Sequence, residues 1–224
     1  DQAVLVDCHD TRGRCADGRC GCQQGWMDAR ATATPNLDCS RCVRYVDATA
    51  GDDQANGRTW QTAKETVQAG LVTAAADGCD LWVAAGTYYP TLDLDRSATF
   101  QLMAGVDVYG GFLGDELRLS DRRLGDHPTV LSGDLGVRGV NTDHAFHVLA
   151  SADGVHLDGL TIRDGFADGA SELGQGAGLY IHTRHDISLA NCTLVHNTAA
   201  REGGAVFLDG SSLRVVASTF ANNN

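Results

Sequence analysis

The stretch that decides the fold is Gly176-Ala177-Gly178-Leu179-Tyr180-Ile181, which recurs 27 residues later as Gly203-Gly204-Ala205-Val206-Phe207-Leu208. A neighbouring segment, Cys192-Thr193-Leu194, recurs 26 residues later as Ser218-Thr219-Phe220, and Leu160-Thr161-Ile162 precedes it by 32 residues. Periods of roughly 20 to 50 residues are typical of stacked units that share one core. The sequence therefore predicts a solenoid, whose binding sites lie on its faces and at its ends.

Each repeat alternates apolar with polar residues, which is the pattern of strands that bury one face. The alternation predicts three strands per coil, with equivalent inward side chains lying on one another in successive coils. The inward residues are, for the first strand, Phe146 and Val148, Leu179 and Ile181, Val206 and Leu208; for the second, Val155 and Leu157, Ile187 and Leu189, Leu213 and Val215; for the third, Leu160 and Ile162, Cys192 and Leu194, Ser218 and Phe220. In this register Cys192 is a small buried hydrophobic residue and not a nucleophile.

The same register places His147, Tyr180 and Phe207 on the outside of the first strand. Exposed aromatic rings are unfavourable in water and are common where a sugar ring or a protein partner binds. The sequence leaves two interpretations open. These three residues form a binding face for a protein or polysaccharide surface, or a loop, such as the cysteine-rich segment, covers them.

Six of the eight cysteines lie within the first 42 residues: Cys8, Cys15, Cys20, Cys22, Cys39 and Cys42. A short segment so rich in cysteine predicts disulfides and an oxidising, extracellular compartment. Zinc binding is the alternative, but it favours paired C-x-x-C units and only Cys39–Cys42 has that spacing. The stretch from Gly18 to Trp26 resembles the later half of an EGF-like module, and this resemblance favours Cys22 with Cys39. The module is expected to cover residues 1–43.

Residues 44–224 have a different composition. A short strand, Tyr45-Val46-Asp47, is followed by a helix expected over about 62–77, with capping-box spacing at Thr62 and Glu65 and a stop at Gly78. These segments, together with Trp82-Val83-Ala84-Ala85-Gly86-Thr87-Tyr88, resemble the start of right-handed parallel β-helix domains of the pectate-lyase-like superfamily. The resemblance implies an all-β, right-handed parallel β-helix whose amino-terminal end is capped by the helix.

Two short elements near the carboxyl end carry a further resemblance. Gly203-Gly204-Ala205-Val206 and Phe220-Ala221-Asn222-Asn223 resemble repeated elements of polymorphic outer-membrane proteins, the β-helical passengers of autotransported adhesins. This likeness implies a surface-exposed adhesive protein.

The charge balance narrows the choice of partners. The chain has 29 acidic and 17 basic residues, counting Lys and Arg, and a formal net charge of −12. A nucleic-acid partner requires a basic stripe, so none is expected. Apolar runs of the roughly 20 residues that span a bilayer are absent from the sequence, so no membrane span is expected.

Catalytic sets known from β-helical enzymes are incomplete in this sequence. Asn141-Thr142-Asp143 matches the first motif of polygalacturonase-type hydrolases, but the paired Asp and the Gly-His-Gly that should follow are missing. Zinc at His144 and His147 is not expected, because residues three apart on a strand face opposite sides. Asp47, Asp52 and Asp53 are a candidate Ca²⁺ site or else a hydrogen-bonded turn. No other cofactor is expected. 

These observations favour a secreted or cell-surface β-helical protein with a structural or adhesive role and without catalysis. One alternative is a module that binds or cleaves polysaccharide. Another is a subunit of a head-to-tail extracellular filament, since an inward Phe220 so close to Asn224 predicts an uncovered last coil. A longer chain or a partner would cover that coil equally well.

Overall fold

The structure, a computed structural model, describes residues 42–224 and, ahead of them, only the backbone of four short strands. These are β1 (Gly13–Ala16), antiparallel to β2 (Arg19–Cys22), and β3 (Trp26–Asp28), antiparallel to β4 (Cys39–Arg41). The EGF-like module expected over residues 1–43 lies almost wholly outside the described residues. So do the side chains of Cys8, Cys15, Cys20, Cys22 and Cys39, and the disulfides among them stay predictions.

Parallel strands and a single α-helix make up the rest of the chain. In chain order they are β5 (Val43–Val46), α1 (Val67–Asp77), β6 (Asp80–Ala84), β7 (Gly86–Tyr88), β8 (Phe100–Gln101), β9 (Val108–Phe112), β10 (Thr129–Ser132), β11 (Leu149–Ala150), β12 (His156–Asp158), β13 (Leu160–Arg163), β14 (Phe166–Ala167), β15 (Leu179–His182), β16 (Ile187–Ala190), β17 (Thr193–Val195), β18 (Thr198–Ala199), β19 (Val206–Asp209), β20 (Leu213–Val216) and β21 (Thr219–Ala221). In the part of the chain that is described, no helix is long and apolar enough to cross a membrane.

The strands stack into three parallel sheets, named here A, B and C. Sheet A has the order β5-β6-β9-β12-β16-β20, sheet B the order β7-β10-β13-β17-β21, and sheet C the order β8-β11-β15-β19. From β6 onward the chain visits A, then B, then C, and starts again, so each full round adds one strand to every sheet. β14 and β18, which lie between visits to B and C, form a separate parallel pair. This topology is compatible with a parallel β-helix.

Equivalent side chains stack in sheets A and B as the alternation predicts. Leu157 pairs with Leu189 and Leu189 with Val215, so the three form one column in sheet A. Leu157 and Leu189 are completely buried. Each such side chain contributes roughly 1.5–3 kcal/mol to folding. The core therefore runs along the stack and is shared by successive coils.

Sheet C follows a different register from the one expected. Leu149, and not Phe146 or Val148, pairs with Leu179. The reason is that Val148 and Leu149 are both buried, so strict alternation is interrupted just before β11 begins. Phe146 lies outside the strand instead, with the Arg96 guanidinium 4.2 Å from its ring centroid.

The helix is shorter than expected and begins at Val67, not near Thr62. Thr66 is its N-cap and accepts a hydrogen bond from the Ala69 amide. Thr62 belongs to a separate 3₁₀ turn, after which Lys64 forms an isolated parallel bridge with Val46. This extended backbone at Lys64 keeps residues before Thr66 out of the helix. Gly78 ends the helix in the left-handed conformation, as expected.

One disulfide joins Cys42 to Cys79, 37 residues apart. It ties the start of β5 to the residue before β6, and the helix lies between them. Both cysteines are buried. Cys42 is expected from the sequence to belong with the cysteines of the amino-terminal module. The structure instead uses Cys42 to fasten the helix loop onto sheet A.

Candidate binding face on sheet C

The outer face of sheet C carries a column of four residues in register. Gln101, Ala150, Tyr180 and Phe207 lie one above another on β8, β11, β15 and β19. The rings of Tyr180 and Phe207 are stacked, with centroids 5.4 Å apart and planes inclined by 10°. Both side chains are half-buried. Two of the three expected aromatic residues therefore occupy adjacent positions on one face.

His147 reaches this column from outside the strand. Its ring centroid lies 4.9 Å from that of Tyr180, and its Nδ1 lies 3.2 Å from the Gly176 carbonyl oxygen. Ala150 holds the column position that was expected for His147. His147 does contact Tyr180, as expected. Its backbone, however, lies three residues before Ala150, the residue that pairs with Tyr180.

The pKa of His147 is lowered. Burial of the ring is the main cause, and hydrogen bonding to the Gly176 and Gln175 carbonyl groups together with the Glu172 charge opposes it only in part. Burial also raises the pKa of Tyr180, and Glu172 and Asp209 add to that rise. The face thus presents an uncharged phenol beside a histidine whose uncharged form is favoured.

A cavity of ≈ 230 Å³ opens beside Tyr180. Gln101, Glu172, His182 and Arg184 supply its polar wall. Amide, carboxylate, imidazole and guanidinium groups together offer both donors and acceptors. Such a mixture next to the ring of Tyr180 suits a ligand with many hydroxyl groups.

Glycine keeps the approach to the rings open on one side. Gly176 has a φ of +63°, and a Cβ built there would lie 2.8 Å from Cβ of Phe207. A side chain at this corner would therefore collide with the aromatic column. Glycine is therefore needed at this position of the repeat, because the backbone of the corner lies close to the aromatic column.

Three aspartates at corners of the coils form ion pairs with arginines. Asp158 pairs with Arg122 at 2.9 Å, and Asp164 lies 3.1 Å from Arg163. Asp168 lies 2.6 Å from Arg96, which also donates to the carbonyl oxygen of His144. Arg96 therefore links the corner after β14 to the segment before β11. A structural role at the corners explains all three carboxylates.

The pKa of Asp158 illustrates that role. Its burial disfavours the charged form, but hydrogen bonds from His156, Arg122 and Asn191 and the charge of Arg122 outweigh burial and lower the pKa. Asp158 is therefore an ionised acceptor that ties three neighbours together, and it is not available as a general acid.

The candidate calcium residues bond to nearby backbone and hydroxyl groups. Asp47 accepts from the Thr49 amide, Asp52 from the Gln54 amide, and Asp53 from the Thr66 amide and hydroxyl. These contacts are those of hydrogen-bonded turns and of a support for the helix start. Calcium binding by Asp47, Asp52 and Asp53 stays a prediction.

Sequence reasoning missed Gln101, Glu172 and Arg184. They come from three different parts of the coil, and no repeated motif connects them. Glu172 sits in a 3₁₀ turn, Ser171–Gly174, that belongs to an insertion between β14 and β15. Only the folded coil brings this turn beside the aromatic column.

Comparison with known proteins gives no relative for the chain: no protein-family model, no curated protein and no solved structure matches it.

Proposed function

We propose that the chain is a right-handed parallel β-helix of a secreted or cell-surface protein with an adhesive role, and that it holds polysaccharide on the outer face of sheet C. An EGF-like module at its amino end is part of this proposal. The observation that carries it is the stacked pair of Tyr180 and Phe207 beside the polar cavity. Tyr180 lines that cavity, so an aromatic side chain and hydrogen-bonding groups of both kinds meet in one place.

The fixed order of visits to sheets A, B and C supports the β-helix part of the proposal. The buried disulfide Cys42–Cys79 supports an oxidising compartment, because such bonds persist mainly outside the cytosol. The net charge of −12 favours neutral or cation-bridged glycans over strongly acidic ones.

Affinity electrophoresis in gels containing neutral and acidic polysaccharides tests the binding role. Tyr180→Ala should weaken retardation by a bound polysaccharide at least about tenfold, which corresponds to 1.4 kcal/mol. Tyr89→Ala is the matched control, since Tyr89 is also half-buried and lies beside sheet B. Equal retardation of both variants, or no retardation by any gel, contradicts the proposal.

The same polysaccharides separate binding from cleavage. Incubation with the protein, followed by measurement of unsaturated products and reducing ends, is expected to give none. Product that disappears on substitution of a single carboxylate or arginine would instead favour a polysaccharide-cleaving enzyme.

Self-association is a second candidate, and the last coil favours it. Leu208, Val215 and Phe220 are 46%, 43% and 44% exposed. Each pairs with a buried equivalent in the preceding coil, so they continue the core columns but are uncovered on one side. A further coil of a longer chain or a second copy would cover them.

Sedimentation velocity over a range of concentrations tests the second copy, and Phe220→Asp should abolish any association. A sedimentation coefficient that does not change with concentration removes this candidate.

A further inference from the structure

Three metal-ligating side chains meet in the loop that joins β10 to β11. Asp134, Asp143 and His144 place one carboxylate or imidazole atom each within 4.8 Å of one another. The contact between Nε2 of His144 and Oδ1 of Asp134 is 3.4 Å. Among the residues described, this is the one group of three or more potential ligands that converges in this way.

The converging atoms have no hydrogen-bond partners of their own. Nε2 of His144, Oδ1 of Asp134 and Oδ1 of Asp143 are all buried, and none of them makes a hydrogen bond; the 3.4 Å contact between the first two is the polar contact they share. His144 is only 8% exposed. A buried polar atom without a hydrogen bond is unfavourable, and a charged one more so. One cation bound between these three atoms would satisfy all of them together.

The remaining oxygen of each carboxylate is turned to the loop backbone. Oδ2 of Asp143 accepts from the Val137 amide at 2.7 Å, and Oδ2 of Asp134 is 3.4 Å from the Gly139 amide. A Cβ at Gly136 would meet Oδ2 of Asp143, so a side chain there would require this carboxylate to shift. Outer hydrogen bonds of this kind fix ligand orientation in metal sites.

The backbone of His144 is also fixed. Its carbonyl oxygen accepts from Nε of Arg96 at 2.6 Å, and its amide donates to the Asn141 carbonyl at 3.2 Å. His144 ends the 3₁₀ turn Asn141–Asp143 and is not on a strand. The sequence argument against zinc considered His147 as the partner of His144, whereas the loop supplies Asp134 and Asp143 instead.

We propose that Asp134, Asp143 and His144 bind a divalent transition-metal ion, with Zn²⁺ preferred over Ca²⁺ and Mg²⁺. Two carboxylate oxygens and one imidazole nitrogen suit Zn²⁺, whereas Ca²⁺ and Mg²⁺ favour oxygen ligands throughout. Tetrahedral Zn²⁺ ligands at about 2.0–2.2 Å are about 3.3 Å apart. His144 and Asp134 already have that separation, so binding requires only a small inward movement of the third ligand.

The ion would fasten the long loop between sheets B and C. Its three protein ligands lie at the two ends of residues 134–144, so the ion closes the loop as a clip. They also leave at least one position for water, which is the usual arrangement of an open zinc site. This site is separate from the aromatic column of sheet C and does not rest on the proposed function.

Equilibrium dialysis of the intact chain against Zn²⁺, with metal analysis of the protein, tests the proposal. One equivalent is expected, with a rise in the thermal unfolding midpoint that Ca²⁺ and Mg²⁺ do not produce. His144→Gln and Asp134→Asn should each lower Zn²⁺ affinity at least about 100-fold. His185→Gln and Asp126→Asn, at exposed positions, are the matched controls and should bind as the parent chain does.

X-ray absorption of the Zn²⁺ complex gives a readout that does not depend on the variants folding. The expected first shell contains one imidazole nitrogen and carboxylate or water oxygens, without sulfur. A sulfur shell would place the ion among the amino-terminal cysteines and overturn the proposal. Absence of a stoichiometric ion, or unchanged affinity in folded His144→Gln and Asp134→Asn, overturns it as well.

Discussion

Asn197 and Asn223 occupy the same corner in successive coils, and Nδ2 of Asn197 donates to Oδ1 of Asn223 at 3.0 Å. Asn197 is completely buried. The same amide nitrogen donates to the Ile162 carbonyl, and Oδ1 accepts from the Gly165 amide at 3.0 Å. One side chain thereby links three coils at the corner after sheet B.

Asn197→Ala should destabilise the chain strongly. The change leaves the Gly165 amide and the Ile162 carbonyl unpaired in the interior, so the expected loss is about 2–5 kcal/mol. Denaturant unfolding measures it. Asn223→Ala is the control, and it should cost less because the half-exposed corner at Asn223 can be satisfied by water. Equal losses in the two variants would contradict this account of the corner.

Removal of the disulfide should weaken the region around the helix. Cys42→Ala/Cys79→Ala opens a closed loop with a sequence separation of 37, and the expected loss is about 2–4 kcal/mol. Arg44, bonded to Asp77 through Nε and Nη2, still holds the end of the helix and limits the damage. Peptide mapping of the oxidised protein should recover Cys42 linked to Cys79. Recovery of Cys42 linked to a cysteine among the first 41 residues would show that this bond is misassigned.

Cys192 should be unreactive in the folded chain. Burial, with a smaller contribution from the Asp158 charge, raises the pKa of the thiol to about 11 despite backbone hydrogen bonds that lower it. At pH 8 roughly one thiol in a thousand would be ionised, and the buried sulfur is also inaccessible to reagent. Titration with a disulfide reagent should modify Cys192 only in denaturant. Cys192→Ala should leave the number of thiols that react natively unchanged, and a fall in that number would contradict the prediction.

His147 should make stability depend on mild acid. Burial lowers its folded-state pKa below the ordinary value near 6.5, so the unfolded chain binds the proton more readily. The contribution is therefore fully present above about pH 6.5 and is lost as the pH falls from there through the lowered folded value. The free energy of unfolding, measured for the parent chain and for His147→Gln at a series of pH values, should converge or cross as the pH falls below 6.5. A stability difference between the parent chain and His147→Gln that does not change with pH would contradict the assignment.

The sequence predicts sheets A and B well because their strands alternate strictly and repeat closely. Leu157, Leu189 and Val215 stack for that reason. Sheet C is harder, because Val148 and Leu149 are consecutive buried residues and a period of two cannot place both. Earlier coils carry long insertions, so the sequence shows no period there. The partner of Cys42 is hidden for a related reason, since only the folded helix loop brings Cys79 to it.

The candidate sites divide in the same way. Tyr180 and Phe207 can be predicted because they occupy equivalent positions of adjacent repeats. Glu172 and Arg184 cannot, because Glu172 comes from an insertion and Arg184 is replaced by Ser211 one repeat later. Asp134 and His144 are ten residues apart and carry no recognisable ligand spacing, so their convergence depends on how the loop closes.

The most direct measurement of the central claim is hydrogen exchange with and without the polysaccharide that retards the protein most in affinity electrophoresis. Binding on sheet C predicts slower exchange in residues 172–184 and 203–209, and unchanged exchange in 129–132 of sheet B. Protection confined to other segments, or none at saturating polysaccharide, would contradict the claim that the aromatic column of sheet C is a binding face.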